Sequence, residues 1–389
     1  MTVTIPKGFV ANGIACGIKA SGAPDLTLVA SESGEPMLAV AVFTQNLAAA
    51  APVKVSKRHL QSTGNRAVAV VLNSGNANAA NGEKGMRDAE AMCAAIGEQL
   101  GISLELVLVC STGLIGIPLD VAPIQRGAAE LTAGLEANEA GAVRAARAIM
   151  TTDTVPKTAS FTGTGYSIGS IAKGAAMLAP NMATMLSVIT TDAKIDADLA
   201  QYLLREAVEH SFNRLVIDGC TSTNDTVILL CSGAGEGGSP DEFREGLISV
   251  CNSLADQMAM DAEGAHKLVR LSVAGAASDQ DALVLAKKAA GSQLVQCSFY
   301  GSDPYWGRLA SEFGTAGVDF DLDQLEVSYQ GIKVASGGVA ADHDAEKLKV
   351  AMDKREILVT CKVGKGPGSA TVTTTDLSPE YIAENMRTS

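Results

Sequence analysis

The sequence is poor in aromatic residues, in histidine and in basic charge, and it contains no long uninterrupted apolar run. Its 30 Lys and Arg residues are outnumbered by 43 Asp and Glu residues, which leaves a net charge of -13. This charge opposes binding to the phosphates of nucleic acids and to anionic lipid surfaces. No segment reaches the roughly 20 apolar residues that span a bilayer, and the first residues do not resemble a secretory signal. We therefore predict a cytoplasmic protein that binds neither nucleic acid nor membranes.

The histidines and cysteines do not form a metal-binding pattern. The four histidines show neither an HxxxH nor an HExxH spacing, and the eight cysteines include no CxxC pair. Zinc sites and disulfide frameworks depend on such spacings. The sequence thus predicts no metal site and no disulfide framework, and any chemistry has to use other groups.

The sequence is rich in short apolar segments, and 47% of its residues are hydrophobic. Because single cores rarely grow beyond roughly 250–300 residues, we expect two lobes in a chain of 389 residues. Apolar residues recur at helical spacing between Ala89 and Leu100 and between Phe243 and Met258. Four segments have the composition of buried strands: 66–72, 106–110, 357–363 and 370–375. The pattern predicts a mixed α/β fold in which helices cover sheets.

Two loops after predicted strands are rich in small residues. The first, NSGNANAANG at 73–82, can bring backbone N–H groups close to a ligand, or it can be only a tight connection. The second is STGLIG at 111–116, where the Thr112 hydroxyl and the Gly113 N–H can form a pair of donors for a developing oxyanion. Taken alone, neither loop identifies a function.

A third glycine-rich segment, GAGEGG at 233–238, fits the GxGxxG pattern of dinucleotide-binding loops. It follows an apolar strand and precedes a predicted helix, as that pattern requires. However, Glu236 would put negative charge beside a pyrophosphate, and Pro240 with Asp241 is an ordinary helix start. The sequence therefore favours a structural turn over a nucleotide site.

Residues 173–192, KGAAMLAPNMATMLSVITTD, combine a lysine, a Pro-Asn turn and an Ala-Thr pair ahead of an apolar run. An internal threonine is a poor nucleophile without a base. Cleavage of the Ala183–Thr184 bond by the threonine hydroxyl would free an α-amine with a pKa of ~7.7–8.0, which can act as that base. From the residues alone, a plain start of a strand or helix is favoured over self-cleavage.

This segment resembles the KGxGMxxPNMATML…TTD signature of the ornithine acetyltransferase family. Similar blocks follow the family's order along almost the whole chain: GFVANGIACGIK, DLTLVAS, NSGNANAANG, CSTGLIG, MTTDTVPK, IDGCTSTNDT, DAEGAHKL, SDPYWGR and DLSPEYIAEN. The resemblance implies a layered αββα sandwich that cuts itself between Ala183 and Thr184. It divides the chain into an α fragment, 1–183, and a β fragment, 184–389.

The resemblance also implies roles for individual residues. Thr184 would be the nucleophile and contact the substrate, with Thr112 and Gly113 as oxyanion donors. Lys173 and Glu263 would contact the substrate, although a surface lysine and a surface glutamate at a helix end are the alternatives. The family pattern adds three further substrate contacts: Thr151, with Thr152 beside it as the alternative, Asn385 and Ser389.

The family's activity implies acetyl transfer from N-acetylornithine to glutamate in arginine biosynthesis, through an acetyl-threonine ester. No metal or organic cofactor is required, and acetyl-CoA is allowed as an additional co-substrate. The family also implies a homo-oligomer of αβ units. The rival interpretations are an aminopeptidase of the related self-processing fold and an uncleaved nucleotide-binding or scaffold protein.

Several residues depart from the family pattern without removing any of the implied catalytic residues. Ala176 and Ala262 replace glycines, Cys220 replaces an aspartate, and Tyr305 replaces an asparagine before Trp306. His266 replaces a threonine close to Glu263. A histidine there can alter the pH profile, or it can be a harmless packing substitution.

Overall fold

The computed structural model describes residues 2–178 and 185–386. Its first sheet has four strands in the order β1-β2-β5-β6. The bounds are β1 Phe9–Ile14, β2 Leu26–Ser31, β5 Ala69–Asn76 and β6 Val107–Leu114. Strands β5 and β6 are parallel, whereas the other pairs are antiparallel.

The second sheet has six strands in the order β4-β3-β11-β9-β8-β7. The bounds are β3 Met37–Phe43, β4 Arg66–Ala67, β7 Lys157–Gly163, β8 Tyr166–Lys173, β9 Leu186–Thr191 and β11 Thr226–Cys231. Strands β9 and β11 are parallel at the centre of the sheet, and their neighbours run antiparallel to them.

These two sheets pack face to face. In β5, Val70 and Leu72 point into the core between the sheets, whereas Ala69 and Val71 point to the helices on the outer face. In β11, Ile228 belongs to the core between the sheets and Leu229 to the opposite face. Because successive strand residues point to opposite faces, a strand that is apolar on both sides can be buried in the middle of a layered fold.

Helices cover both outer faces. On the four-stranded sheet lie α1 Ala51–Ser62, α2 Gly82–Leu100 and α3 Ala122–Ala133. On the six-stranded sheet lie α5 Ala197–His210 and α6 Pro240–Met260. Helix α4, Glu139–Ala148, contributes small side chains to the core between the sheets. The arrangement is helix, sheet, sheet, helix, which confirms the predicted αββα sandwich.

A second lobe is built on a seven-stranded sheet with its own core. In sheet order, its strands are β10 Leu215–Val216, β17 Gly368–Thr375, β12 Leu268–Ala276, β16 Glu356–Lys362, β13 Glu326–Tyr329, β14 Ile332–Ser336 and β15 Val339–Ala340. Its helices are α7 Asp279–Ala290, α8 Gln293–Tyr300, α9 Trp306–Phe313 and α10 Ala345–Met352, and α11 Pro379–Asn385 follows the last strand. Two lobes were expected from the chain length, and two are observed.

The predicted fragment boundary does not coincide with a lobe boundary. Residues 1–183 would supply β3, β4, β7 and β8 of the six-stranded sheet, and residues 184–389 would supply β9 and β11. The two fragments would therefore share one hydrogen-bonded sheet and one core. Among the described residues, no helix is long and apolar enough to cross a membrane.

Candidate active site

The candidate site lies where β5, β6 and β8 end. The sequence predicts loops from residues 73 and 111, but both strands continue further, to Asn76 and Leu114. The reason is that the parallel pairing of β5 with β6 persists through Ser74 with Thr112 and Gly75 with Gly113. Thr112 and Gly113 are therefore held by a strand rather than by a loop.

Gly113 can only be glycine in this arrangement. Its φ is +135°, and a Cβ would lie 2.3 Å from the carbonyl carbon of Gly75 and 2.5 Å from the nitrogen of Asn76. Residues that carry a side chain rarely adopt this backbone conformation. The residue itself is exposed, so its backbone is open to a ligand.

Lys173, the last residue of β8, lies against Thr112. Its Nζ is 3.2 Å from Thr112 Oγ1, and both side chains are buried. An ammonium group has donors only, so the Thr112 oxygen accepts this hydrogen bond. The hydroxyl hydrogen of Thr112 then has to point to another acceptor, as an oxyanion donor requires. The burial excludes the alternative of a solvated surface lysine.

The charge of Lys173 is balanced by buried carboxylates. Burial lowers the pKa of Lys173, and the nearby Asp153 opposes this shift. Burial would raise the pKa of Asp153, but the ammonium groups of Lys173 and Lys157 outweigh that effect and hold it at about 2. Asp153 is thus ionised at neutral pH and supports a positive charge at the site.

Asp153 also orders the backbone around the site. Its Oδ2 accepts from the Thr151 nitrogen at 3.0 Å, and its Oδ1 accepts from the nitrogen of Gly174, next to Lys173, at 2.8 Å. Thr151 is half-buried, whereas Thr152 is exposed. Thr151 is therefore brought close to Lys173 through their shared carboxylate.

Glu263 and Asn385 are brought together by two distant parts of the chain. The Glu263 nitrogen donates to the Ala175 carbonyl at 2.9 Å. Because Ala175 follows Lys173 by two residues in the sequence, this hydrogen bond holds the Glu263 backbone near Lys173. Asn385, at the end of α11, donates from Nδ2 to Glu263 Oε2 at 2.9 Å. Glu263 is half-buried rather than a free surface glutamate.

Gly264 allows this contact because of its backbone. Its φ is +65°, and a Cβ would lie 2.3 Å from the Tyr381 nitrogen at the start of α11. The Ser378 hydroxyl accepts from that nitrogen and donates to the Gly264 carbonyl at 2.6 Å. The helix that carries Asn385 is therefore docked directly on the turn that carries Glu263.

Residues 222–225, directly before β11, are buried and contact the ends of the strands at the site. Asp225 Oδ1 accepts from the Met185 nitrogen at 3.0 Å, and burial raises the pKa of Asp225 well above its usual range. Asn224 Nδ2 donates to the carbonyls of Ala77 and Ser111, at 2.6 and 2.9 Å. Asn224 therefore joins the ends of β5 and β6 to this segment.

Three of the predicted site residues, Ala183, Thr184 and Ser389, lie outside the described residues. The structure brings together Thr112, Gly113, Lys173, Thr151, Glu263 and Asn385. Sequence reasoning missed Asp153, Lys157, Asn224, Asp225 and Asp261. The sequence could have indicated these residues only through their positions in the blocks MTTDTVPK, STND and DAEGAHKL. Their spacing along the chain does not show that they lie close together in the fold.

The two other glycine-rich segments make structural contacts. The nitrogens of Gly235 and Glu236 in GAGEGG donate to the carbonyls of Asp192 and Gly165, at 2.7 and 2.8 Å. This segment follows Cys231, at the opposite end of β11 from Asp225. In NSGNANAANG, Asn76 Oδ1 accepts from the Asn78 nitrogen at 2.8 Å, as in a tight connection.

Two of the departures from the family pattern, Ala176 and His266, have a local structural setting that accommodates them. Ala176 is not among the residues with positive φ, so a side chain fits there. His266 Nδ1 lies 3.4 Å from Asp376 Oδ2, and its ring packs edge-on against Tyr300. Asp376 also accepts from the backbone nitrogen of His266, at 2.8 Å. His266 therefore packs against Asp376 and Tyr300.

Within a layered αββα fold, a buried lysine donates a hydrogen bond to a threonine hydroxyl, beside a glycine whose backbone is open. This arrangement defines a class of protein that can bind an anion or an oxyanion. A model of the ArgJ family matches residues 10–388. The chain belongs to the ArgJ family and is an enzyme.

Two curated relatives of similar length support this assignment. The arginine biosynthesis bifunctional protein ArgJ of Streptomyces avermitilis is 44% identical over 387 residues, which cover 99% of each chain. The protein of the same name from Thermobifida fusca is 45% identical with the same coverage. A crystal structure of ornithine acetyltransferase from Mycobacterium tuberculosis, complexed with ornithine, is 42% identical over 46% of this chain and 94% of its own, with a TM-score of 0.44.

Proposed function

We propose that this enzyme transfers an acetyl group from N-acetylornithine to glutamate in arginine biosynthesis, after cutting its own chain between Ala183 and Thr184. The observation that carries the proposal is the buried contact of Lys173 with Thr112, at 3.2 Å, beside the open backbone of Gly113. The names of the curated relatives support the pathway, and the motif at 173–192 supports the nucleophile.

In the first half-reaction, the Thr184 hydroxyl attacks the acetyl carbonyl carbon. Its proton passes to the α-amine that cleavage creates, and the negative charge on the oxygen is stabilised by the Thr112 hydroxyl and the Gly113 N–H. The C–N bond then breaks, and the leaving amine of ornithine takes up the proton. The product is an acetyl ester of Thr184.

In the second half-reaction, the amine of glutamate attacks the ester carbonyl. The same two donors stabilise the second oxyanion, and the C–O bond to Thr184 breaks as the hydroxyl regains a proton. Both amino acids carry a charged amino group and a carboxylate. Glu263 suits the first of these groups, and Lys173 suits the second or the acyl carbonyl.

Mass spectrometry of the purified protein, with and without N-acetylornithine, tests both parts of the proposal. We expect two chains, 1–183 and 184–389, and an additional acetyl group on the second chain after exposure to N-acetylornithine. Thr184→Ala should leave one uncut chain without acetyl transfer, whereas Thr184→Ser should still be cut because it keeps a hydroxyl. Full activity in Thr184→Ala would rule the mechanism out.

A comparison of acyl acceptors separates the proposal from the aminopeptidase alternative. The proposed enzyme forms N-acetylglutamate faster than it hydrolyses peptide amides, and an aminopeptidase does the opposite. Replacing N-acetylornithine by acetyl-CoA in the same assay shows whether acetyl-CoA is a second donor.

A further inference from the structure

The most deeply buried ion pairs that the structure describes lie beside the candidate active site. Lys157 Nζ lies 2.6 Å from Asp153 Oδ1 and 2.6 Å from Asp261 Oδ2. The side chains of Lys157 and Asp153 are fully buried, and that of Asp261 is 9% exposed. Burial of three charges costs desolvation energy, and a buried ion triad is often no more stable than apolar side chains in its place. Stability alone therefore does not explain why three charges are buried here, although removal of one partner would leave the others uncompensated.

The contacts of the triad point to a positioning role instead. On one side, Asp153 holds the Thr151 nitrogen and the nitrogen next to Lys173, at 3.0 and 2.8 Å. On the other side, Asp261 is the C-cap residue that follows α6, two residues before Glu263, and it accepts from the Thr154 nitrogen at 2.9 Å. Among the described residues, Lys157 is the only cation that forms an ion pair with both Asp153 and Asp261.

The triad also connects the two predicted fragments. Asp153 and Lys157 precede the predicted cleavage site, and Asp261 follows it. The substrate contacts divide in the same way, with Thr151 and Lys173 before the site and Glu263 after it. The relative position of these substrate contacts therefore depends on contacts between two separate parts of the chain. Among the described residues, the ion pairs of the triad are the most deeply buried charged contacts that join these parts.

We propose that Asp153, Lys157 and Asp261 form a positioning triad that sets the distance between Glu263 and the pair of Lys173 and Thr151. The inference rests on the proposed function, because it takes Glu263 and Lys173 as substrate contacts. The triad itself touches no substrate. It holds the carboxylate of Glu263 in place relative to the ammonium of Lys173, and these two groups would bind the amino and carboxyl groups of one amino acid.

Asp261→Asn is the sharpest test of this inference. The amide keeps the shape of the side chain and one acceptor oxygen, but it removes the negative charge that pairs with Lys157 close to Glu263. We expect the variant to fold and to be cut, with the KM for N-acetylornithine raised about 5- to 20-fold and kcat changed about threefold or less. The Kd for ornithine, measured by titration calorimetry, should rise by a similar factor.

Asp256→Asn is the matched control. Asp256 lies on the same helix and pairs with Arg270 at 2.8 Å, but its side chain is 34% exposed and is not bonded to the site residues. We expect this variant to keep the wild-type KM and Kd. If Asp261→Asn also keeps them, or if both variants change equally, the triad has no positioning role.

A second pair of variants covers failure of the first to fold. Lys157→Arg keeps the charge but changes its shape, and Lys157→Met removes the charge. The inference expects a smaller rise in the ornithine Kd for Lys157→Arg than for Lys157→Met, and equal values would overturn it. Failure of the wild-type enzyme to bind ornithine or to transfer acetyl groups would refute the proposed function, whereas wild-type activity with unchanged variants refutes the triad alone.

Discussion

The two sides of the candidate site are built in different ways. One side consists of Thr112, Gly113 and Lys173, which lie on β6 and β8, strands of the two facing sheets. Apart from the open Gly113 backbone, these residues are buried. The other side consists of Glu263 and Asn385, which lie on a turn and at the exposed end of α11. The strand side is fixed before a substrate arrives, as stabilisation of an oxyanion requires. The turn side depends on a few polar contacts and suits recognition of one substrate among similar amino acids.

The largest expected effect is on the strand side. Thr112→Val removes one oxyanion donor, so turnover should fall by about 10²–10³. Thr112→Ser keeps the hydroxyl and should retain most of the activity. Steady-state rates with N-acetylornithine and glutamate measure both. Equal rates in Thr112→Val and the wild type would show that the hydroxyl of Thr112 is not used.

The next largest effect is expected on stability, from the buried carboxylate of Asp153 beside Lys173. The pKa of Asp153 is lowered from 3.8 to about 2, so its ionised form stabilises the folded state above pH ~4. That contribution is lost as the pH falls towards 2. A shift of this size corresponds to about 2 kcal/mol.

Asp153→Asn should therefore be less stable than the wild type at pH 7 by about 2 kcal/mol, and the gap should narrow as the pH falls towards 2. Urea unfolding at a series of pH values measures this. Asp256→Asn, at a partly exposed pair, should show a gap below ~1 kcal/mol. A constant gap for Asp153→Asn at all pH values contradicts the assignment.

A smaller effect is expected on the turn side. Asn385→Ala removes one exposed hydrogen bond to Glu263, which is worth about 1 kcal/mol. The KM for the amino-acid substrate should rise about 3- to 10-fold while kcat changes little. Ile382→Ala, on the exposed face of the same helix, is the control and should not change the KM. An unchanged KM in Asn385→Ala would show that the tail only covers the turn.

The smallest effect is expected at His266. Its ring contacts Tyr300 and lies near Asp376 rather than Glu263, so His266→Thr should leave the pH profile of acetyl transfer unchanged. Stability should change by about 0.5 kcal/mol or less, as is usual for exposed positions. A displaced pH optimum in His266→Thr would place this histidine in the site after all.

The sequence pattern by itself determined a mixed α/β fold in which helices cover sheets, and the positions of several strands and helices; the layered sandwich was implied by the family resemblance. Residues 357–363 and 370–375 were predicted as strands, and they correspond to β16 and β17. These segments follow local periodicity, which depends only on neighbouring residues. The sequence also predicts Thr112 with Gly113 as a donor pair, because the two are consecutive small residues at the end of an apolar segment.

The tertiary structure alone decided which distant residues meet. Lys157 and Asp261 are 104 positions apart, and Glu263 and Asn385 are 122 apart. It also decided that β5 and β6 extend into the first residues of the two small-residue segments, because each strand had a parallel partner there. Local sequence sets the conformation that each segment prefers. Burial of charge and the pairing of strands depend on long-range contacts, which only the folded chain provides.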